Sequence, residues 1–473
     1  MEERCFMATS SLPALRPSGG RTQPVTGRIV APSRPPTTLL EKLGVFSLSL
    51  FLFLLFGRPA DFFFPYLHLP LTASVTAMLV AVLTGGIAHV LRSPLGLSIT
   101  LLTAWFILAI PFSSFRGGSF NTIISTWMRS YLCFVLIVAL CTRPLQIRRV
   151  IHMLAWSLLL TSLLGLTFGV APHGRLQLPT GLLTGPNELA GAMIVGILYW
   201  LFIFFDPFCS GIYRAFSLAA ILPMMLVLLK TGSRGGLLSL TVVLTVMFFR
   251  LPAAKKLVVS CGAITLLFLA VVTLPDDLRR RFTTYFRSDD AQQTLDIDSP
   301  TESAESRLYL LQRSVEFTLA HPIFGVGPDQ FATYEDKISR DEGRPKGSWL
   351  GCHNTYTQIS SEAGIPALLI FVSMLVIAWR STTNIQRRAR QLGTPYSLTV
   401  ENTAVALRMV LIAYLVFFLF EHSAYMPFWP ALLGLIAALR NGFETELPLM
   451  EKTPESAPTR LGAPKRFPSP VRV

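Results

Sequence analysis

Residues 187–205 read NELAGAMIVGILYWLFIFF, with no charged side chain after Glu188. A backbone inside a bilayer has no water to bond, so an apolar run of this length must satisfy its own N–H and C=O groups, as a spanning helix does. Runs of the same kind recur on both sides of it. They predict helices at about 42–57, 72–91, 97–113, 121–141, 148–170, 187–205, 213–230, 234–250, 256–274, 364–380, 403–421 and 424–440. The expected fold class is all-α: a polytopic membrane helix bundle of about 12 transmembrane helices, with one long, partly helical periplasmic loop. Composition agrees, since 51% of the 473 residues are hydrophobic and 14% charged.

The formal charge of +14 does not imply a nucleic-acid partner, because the basic residues lie between the apolar runs and in the tails. Membrane lipids explain that placement through the excess of Lys and Arg in cytoplasmic loops. With a cytoplasmic amino terminus, Arg143, Arg148 and Arg149, then Arg250, Lys255 and Lys256, then Arg380, Arg387, Arg388 and Arg390 all fall inside. Residues 275–363 hold fifteen acidic and ten basic side chains, which puts this loop outside. The expected organisation is a disordered basic tail at 1–41, spans 1–9 over 42–274, the periplasmic loop at 275–363, spans 10–12 over 364–440 and a disordered tail at 441–473. Both tails are expected in the cytoplasm, with the chain multi-pass in an inner (plasma) membrane. The first apolar run begins near Leu43, late for a signal peptide, and is expected to be a retained helix. The six cysteines give neither a disulfide framework nor a zinc spacing.

Polar chemistry collects at the outward ends of the spans. Lys230-Thr231-Gly232-Ser233-Arg234-Gly235-Gly236 puts cations on the outward side, against the charge bias. Arg234 either snorkels to the headgroups or belongs to an anion site, in which glycines let a phosphate approach a helix amino terminus. Ser299-Pro300-Thr301-Glu302 is a capping box that predicts a helix to about Ala320, stopped by His321-Pro322. Leu308, Leu311, Val315 and Leu319 share one face of it, suited to the membrane surface or the outer ends of the bundle. Arg307 and Arg313 on that helix are either solvated or functional. His353, in Cys352-His353-Asn354-Thr355-Tyr356, is held near the interface; unperturbed imidazole titrates at about 6.5, which suits a proton acceptor. Glu362 is a second candidate base or a helix cap, and Lys230, Asn187, Asn354, Glu421 and His422 are secondary candidates on the same side.

Thr184-Gly185-Pro186-Asn187, the 231–236 turn, Ser306-Arg307 followed by His321-Pro322-Ile323-Phe324-Gly325-Val326-Gly327, and His353-Asn354 with Glu362-Ala363-Gly364 together resemble the O-antigen ligase and polymerase superfamily of bacterial envelope glycan enzymes. The resemblance implies a metal-independent glycosyltransferase of the GT-C type, without cofactor, that takes a glycan from undecaprenyl diphosphate. Ligases pass it to the lipid A core and polymerases to another glycan. Carried over residue by residue, Arg234 and Arg307 would bind the substrate diphosphate and His353 would be the catalytic base. Direct displacement predicts inversion at the anomeric carbon. A repeat-unit polymerase and a non-enzymatic flippase of lipid-linked glycan are the competing readings; the flippase predicts a polar path through the spans, which are apolar here.

Overall fold

The computed structural model describes residues 38–63, 65–250, 300–343 and 350–452, with short pieces at 256–257 and 260–262. Its helices are α1 Leu39–Gly57, α2 Leu69–Leu83, α3 Pro94–Phe112, α4 Arg116–Leu140, α5 Pro144–Phe168, α6 Pro186–Phe205, α7 Gly211–Lys230, α8 Arg234–Arg250, α9 Pro300–Ala320, α10 Phe331–Asp341, α11 Thr355–Leu392, α12 Pro395–Phe417 and α13 Phe428–Lys452. Among the described residues the one β feature is an isolated bridge between Val170 and Gln177. The protein is an all-α polytopic membrane protein. Eight helices, α1, α3, α4, α5, α6, α7, α11 and α12, are long and apolar enough to cross a bilayer, while α2 and α8 are shorter apolar helices. The ninth expected span, 256–274, lies almost wholly outside the described residues, as do tail residues 1–37 and 453–473.

Helix starts follow local chemistry. Thr38 and Glu41 form a reciprocal capping box that opens α1, and proline occupies the first turn of α3, α5, α6 and α12. The expected second span ends early, because Gly85 turns at φ 67° and a separate short helix, Ala88–Arg92, follows. At the other end α13 passes its expected limit and reaches Lys452, with Phe443 and Met450 buried and Glu446 bonded to Tyr396 of α12. Arg380, Arg387, Arg388 and Arg390 ride on the helical extension of α11, not in a loop.

The expected helix at 300–320 is present as α9, although its capping side chains lie outside the described residues. Its apolar stripe is not the face packed on the bundle, which leaves the membrane surface of the two placements expected for it. Leu310, Ser314 and Phe317 face inward, whereas Leu308, Val315 and Leu319 are exposed. The aromatic pairs Phe317–Phe331 and Phe317–Tyr334 draw that side down, and Arg313 binds Glu335 at 2.8 Å while covering the Phe317 ring. Arg313 is therefore structural.

Helix α11 carries the feature that positions everything above it. Gly364 lies at φ 83°, ψ 174°, a conformation open essentially to glycine alone, and two residues later Pro366 has no N–H for the Glu362 carbonyl. The freed backbone groups pair outside the helix. Gly327 N–H donates to Glu362 O at 3.0 Å, Val326 N–H to Ser361 O at 2.8 Å, and Ile365 N–H to Pro322 O at 2.8 Å. Trp105 Nε1 donates to Ala363 O at 2.9 Å. The turn at 321–331 is thus built into the kink, and the α3–α4 connection clasps its far side through Ser114 N–H to Val326 O and Ser119 Oγ to Pro328 O, each at 2.9 Å. A Cβ on residue 364 would sit 2.0 Å from Ile323 O. Gly364→Ala is expected to cost at least about 2 kcal/mol from the sum of strain and overpacking, read as a lowered unfolding temperature in detergent; unchanged stability would show that the kink does not need glycine.

Candidate functional site

Before the kink, the head of α11 is stitched to the connection between α12 and α13. Thr355 N–H donates to Phe418 O at 2.8 Å, Thr355 Oγ1 donates to Glu421 O at 2.6 Å, and Ser423 N–H donates to Thr355 Oγ1 at 3.0 Å. Ala424 N–H adds a bond to Gln358 Oε1 at 3.1 Å. Asn354 caps the helix, its Oδ1 accepting from Tyr356 N–H and Thr357 N–H. This stitching holds His353 beside His422, with ring centroids 5.1 Å apart in an edge-to-face arrangement, and His422 Nδ1 lies 3.3 Å from Glu421 Oε1. That last contact has ion-pair length but not hydrogen-bond geometry. His353 itself sits in the left-handed region at φ 49°, a strained position for a residue with a Cβ.

A second seam joins the connection after α5 to the turn before α8. Arg175 Nε donates to Thr231 O at 2.9 Å and its Nη2 to Asn187 Oδ1 at 2.7 Å, while Leu176 N–H donates to Lys230 O at 2.9 Å. Ser233 Oγ caps α8 by accepting from Gly236 N–H. Gly235 packs so closely on Phe420 that a Cβ there would lie 2.5 Å from Phe420 Cβ. The two seams therefore meet at Phe420-Glu421.

The electrostatics reflect this convergence. Burial, then the charges of His422, Arg307 and Arg175, push His353 down to about 3, so its imidazole is neutral at physiological pH, well below the unperturbed value expected from sequence. Glu421, 1% exposed, is pushed up to about 7 by burial, with Glu188 raising it and His422 and Arg307 opposing. Neither Glu421 oxygen has a hydrogen bond of normal geometry, though the His422 backbone N–H lies near enough to oppose the rise, and the Nδ1 atoms of His353 and His422 are likewise buried without a hydrogen-bond partner.

Of the residues singled out from sequence, the structure gathers His353 and His422 with Glu421, puts them within the field of Arg307, and ties in Asn187 through Arg175. Arg234 is half-buried at the start of α8, in the turn that Arg175 holds. Lys230 is exposed and contributes its backbone carbonyl. Asn354 is spent as a cap. Glu362 lies below, buried, accepting from Asp329 N–H at 3.1 Å, Phe331 N–H at 3.4 Å and the Tyr425 hydroxyl at 2.9 Å, which makes it part of the scaffold under the site. Arg175 and Glu188 were not among the expected residues. Arg175 carried the same signal as Arg234, a cation in a short connection at this end, and Glu188 directly follows the Gly185-Pro186-Asn187 turn.

The fold is that of a multi-pass membrane protein in which several ionisable residues converge around the head of α11 and the connection between α12 and α13. Residues 218–372, roughly a third of the chain, match the family model Wzy_C, O-antigen ligase, so this segment is similar to the O-antigen ligase superfamily. No curated protein matches the chain. The matched segment holds Arg234, Arg307, His353, Glu362 and the kink, whereas Arg175, Asn187, Glu421 and His422 lie outside it.

Glu362→Ala is expected to cost about 3 kcal/mol, because it strands buried donors, and Asn354→Ala about 1 kcal/mol through loss of a cap. Thermal unfolding of the purified variants in detergent measures both; equal small effects would remove Glu362 from the scaffold.

Proposed function

We propose that the protein is an O-antigen ligase-type glycosyltransferase that moves a glycan from undecaprenyl diphosphate to a hydroxyl of the lipid A core, on the periplasmic face of the bacterial inner membrane. In this reading both termini are cytoplasmic, and residues 275–363 form the periplasmic loop that completes the site. The observation that carries it is the convergence of His353, Glu421 and His422 at the head of α11, within the field of Arg307, with both His353 and Arg307 inside the segment that matches the O-antigen ligase family model.

The acceptor oxygen attacks the anomeric carbon from the face opposite the diphosphate. Its proton passes to His353, the bond from the anomeric carbon to the diphosphate oxygen breaks, and the electron pair leaves on the diphosphate. The anomeric centre inverts. Negative charge grows on the leaving oxygens, and fixed cations near them lower the barrier. Arg234 and Arg307 fill that role, with Arg175 bracing the turn that carries Arg234. Two guanidiniums suffice for the charge, so the reaction needs no metal ion or other cofactor.

His353→Ala is expected to slow transfer by roughly 10² to 10⁴, the usual worth of a positioned base, and Arg307→Ala by roughly 10² to 10³. The measurement is transfer from a lipid-linked donor in proteoliposomes at matched protein levels. Wild-type rates in both variants would overturn the reading. In a deletion strain, loss of capped lipid A with accumulated lipid-linked polymer is the expected ligase phenotype, whereas single repeat units would identify a polymerase.

A further inference from the structure

Three side chains meet at the head of α11 with ligand-type atoms that make no hydrogen bond of normal geometry within the protein. One ligand atom each from His353, Glu421 and His422 lies within 4.8 Å of the other two. His353 Nδ1, His422 Nδ1 and both Glu421 oxygens are buried without a hydrogen-bond partner. A buried carboxylate with neither oxygen bonded is costly, and such an orphan calls for a specific explanation such as an ion. The three residues are also fixed in advance, since Thr355 bonds Phe418, Glu421 and Ser423 across the seam, and the His422 ring rests against Gly351.

A second grouping of ligand-type residues shows the contrast. His152, Asp206 and Cys209 lie equally close together, but Asp206 Oδ2 accepts from Arg148 Nε at 2.8 Å and Oδ1 from Phe208 N–H at 3.0 Å. Arg148 Nη2 also donates to Cys209 Sγ at 3.2 Å. In that grouping the carboxylate and the thiol are bonded and His152 Nε2 alone lacks a partner, whereas at α11 both carboxylate oxygens and one nitrogen of each imidazole lack one.

The geometry points to a binding site for a divalent transition-metal ion of the zinc type, held by His353, Glu421 and His422 with one position left open. Two imidazoles and one carboxylate are a donor set that zinc accepts and that magnesium or calcium, which prefer all-oxygen sites, does not. Arg307 and Arg175 oppose a cation here, while Glu188 favours one. One consequence rests on the function proposed above. A neutral imidazole that gives its lone pair to a metal carries its proton on the other nitrogen, so ion-bound His353 cannot take a proton from an acceptor hydroxyl. Zinc at this site inhibits transfer.

The test is calorimetric titration of zinc chloride into the full chain, free of any histidine tag, in detergent after chelator treatment, with Glu421→Gln and His422→Ala beside the wild type. One zinc per chain is expected, with the dissociation constant raised at least ~10-fold in each variant. Cobalt(II) in place of zinc should give a visible absorption band that both variants lose. Glu421→Gln keeps the side-chain volume, so it remains informative if His422→Ala fails to fold. Absence of saturable binding, or equal affinity in the variants and the wild type, overturns the site. In the proteoliposome assay zinc should slow transfer and a chelator restore it. Zinc that binds at this site without slowing transfer overturns the role of His353 as proton acceptor while leaving the metal site intact.

Discussion

A helix that must cross a membrane cannot leave backbone groups unpaired, yet α11 breaks its own ladder at Gly364 and Pro366. The break is tolerated because the groups it frees are taken up by Pro322, Val326, Gly327 and Trp105. Each such bond is worth about 1 kcal/mol net, but leaving its partner buried and unpaired would cost about 1–3 kcal/mol, so the kink and the 321–331 turn exist only together. That mutual dependence anchors α9 and α10 to the bundle. It also fixes where the head of α11 points, and so where His353 lies relative to Glu421 and His422.

The glycines around the kink are explained by distance. A Cβ on Gly325 would lie 2.3 Å from the Glu362 carbonyl carbon, and one on Gly327 would lie 2.0 Å from Ser113 Oγ. The Gly325-Val326-Gly327 and Glu362-Ala363-Gly364 stretches, read in sequence as two separate motifs, are two strands of one backbone contact. Glu362 belongs to the same contact, because its carboxylate holds the amides at Asp329 and Phe331 that open α10. A carboxylate occupied in this way is a fastener.

Much of this was legible in the sequence. Apolar run length gave the helices, and Ser299-Pro300-Thr301-Glu302 with His321-Pro322 bracketed α9 to the residue. Even the expected start of the tenth span, at 364, coincides with the kink, because apolar composition changes where the helix enters the bundle. What the sequence could not supply was anything set by three-dimensional pairing. The inward face of α9 is chosen by Phe317 meeting Phe331 and Tyr334, not by the stripe of Leu308, Val315 and Leu319. Nor does chain order show that Glu421-His422, about seventy residues beyond His353, lies against it, since that follows from Thr355 bonding across the seam. The part Arg175 plays is likewise set by its bonds to Thr231 and Asn187 and not by its place in the chain.

Four of the eleven buried side-chain polar atoms without a hydrogen-bond partner among the described residues lie together at the head of α11. Arg148, Asp206 and Cys209 are ionisable, clustered and mutually bonded; Arg313 and Glu335 are likewise paired, and Glu362 has its donors. Chemistry at any of these would first have to break what is already made. Glu421 and the Nδ1 atoms of His353 and His422 make no such bonds, and they lie within the fields of Arg307, Arg175 and Glu188. Folding alone does not reward such an arrangement, since a buried orphan carboxylate costs stability and a left-handed histidine adds strain. The backbone seams at Thr355 and at the kink hold it in place regardless, and the groups left unsatisfied are those free to bind a proton, an ion or a substrate.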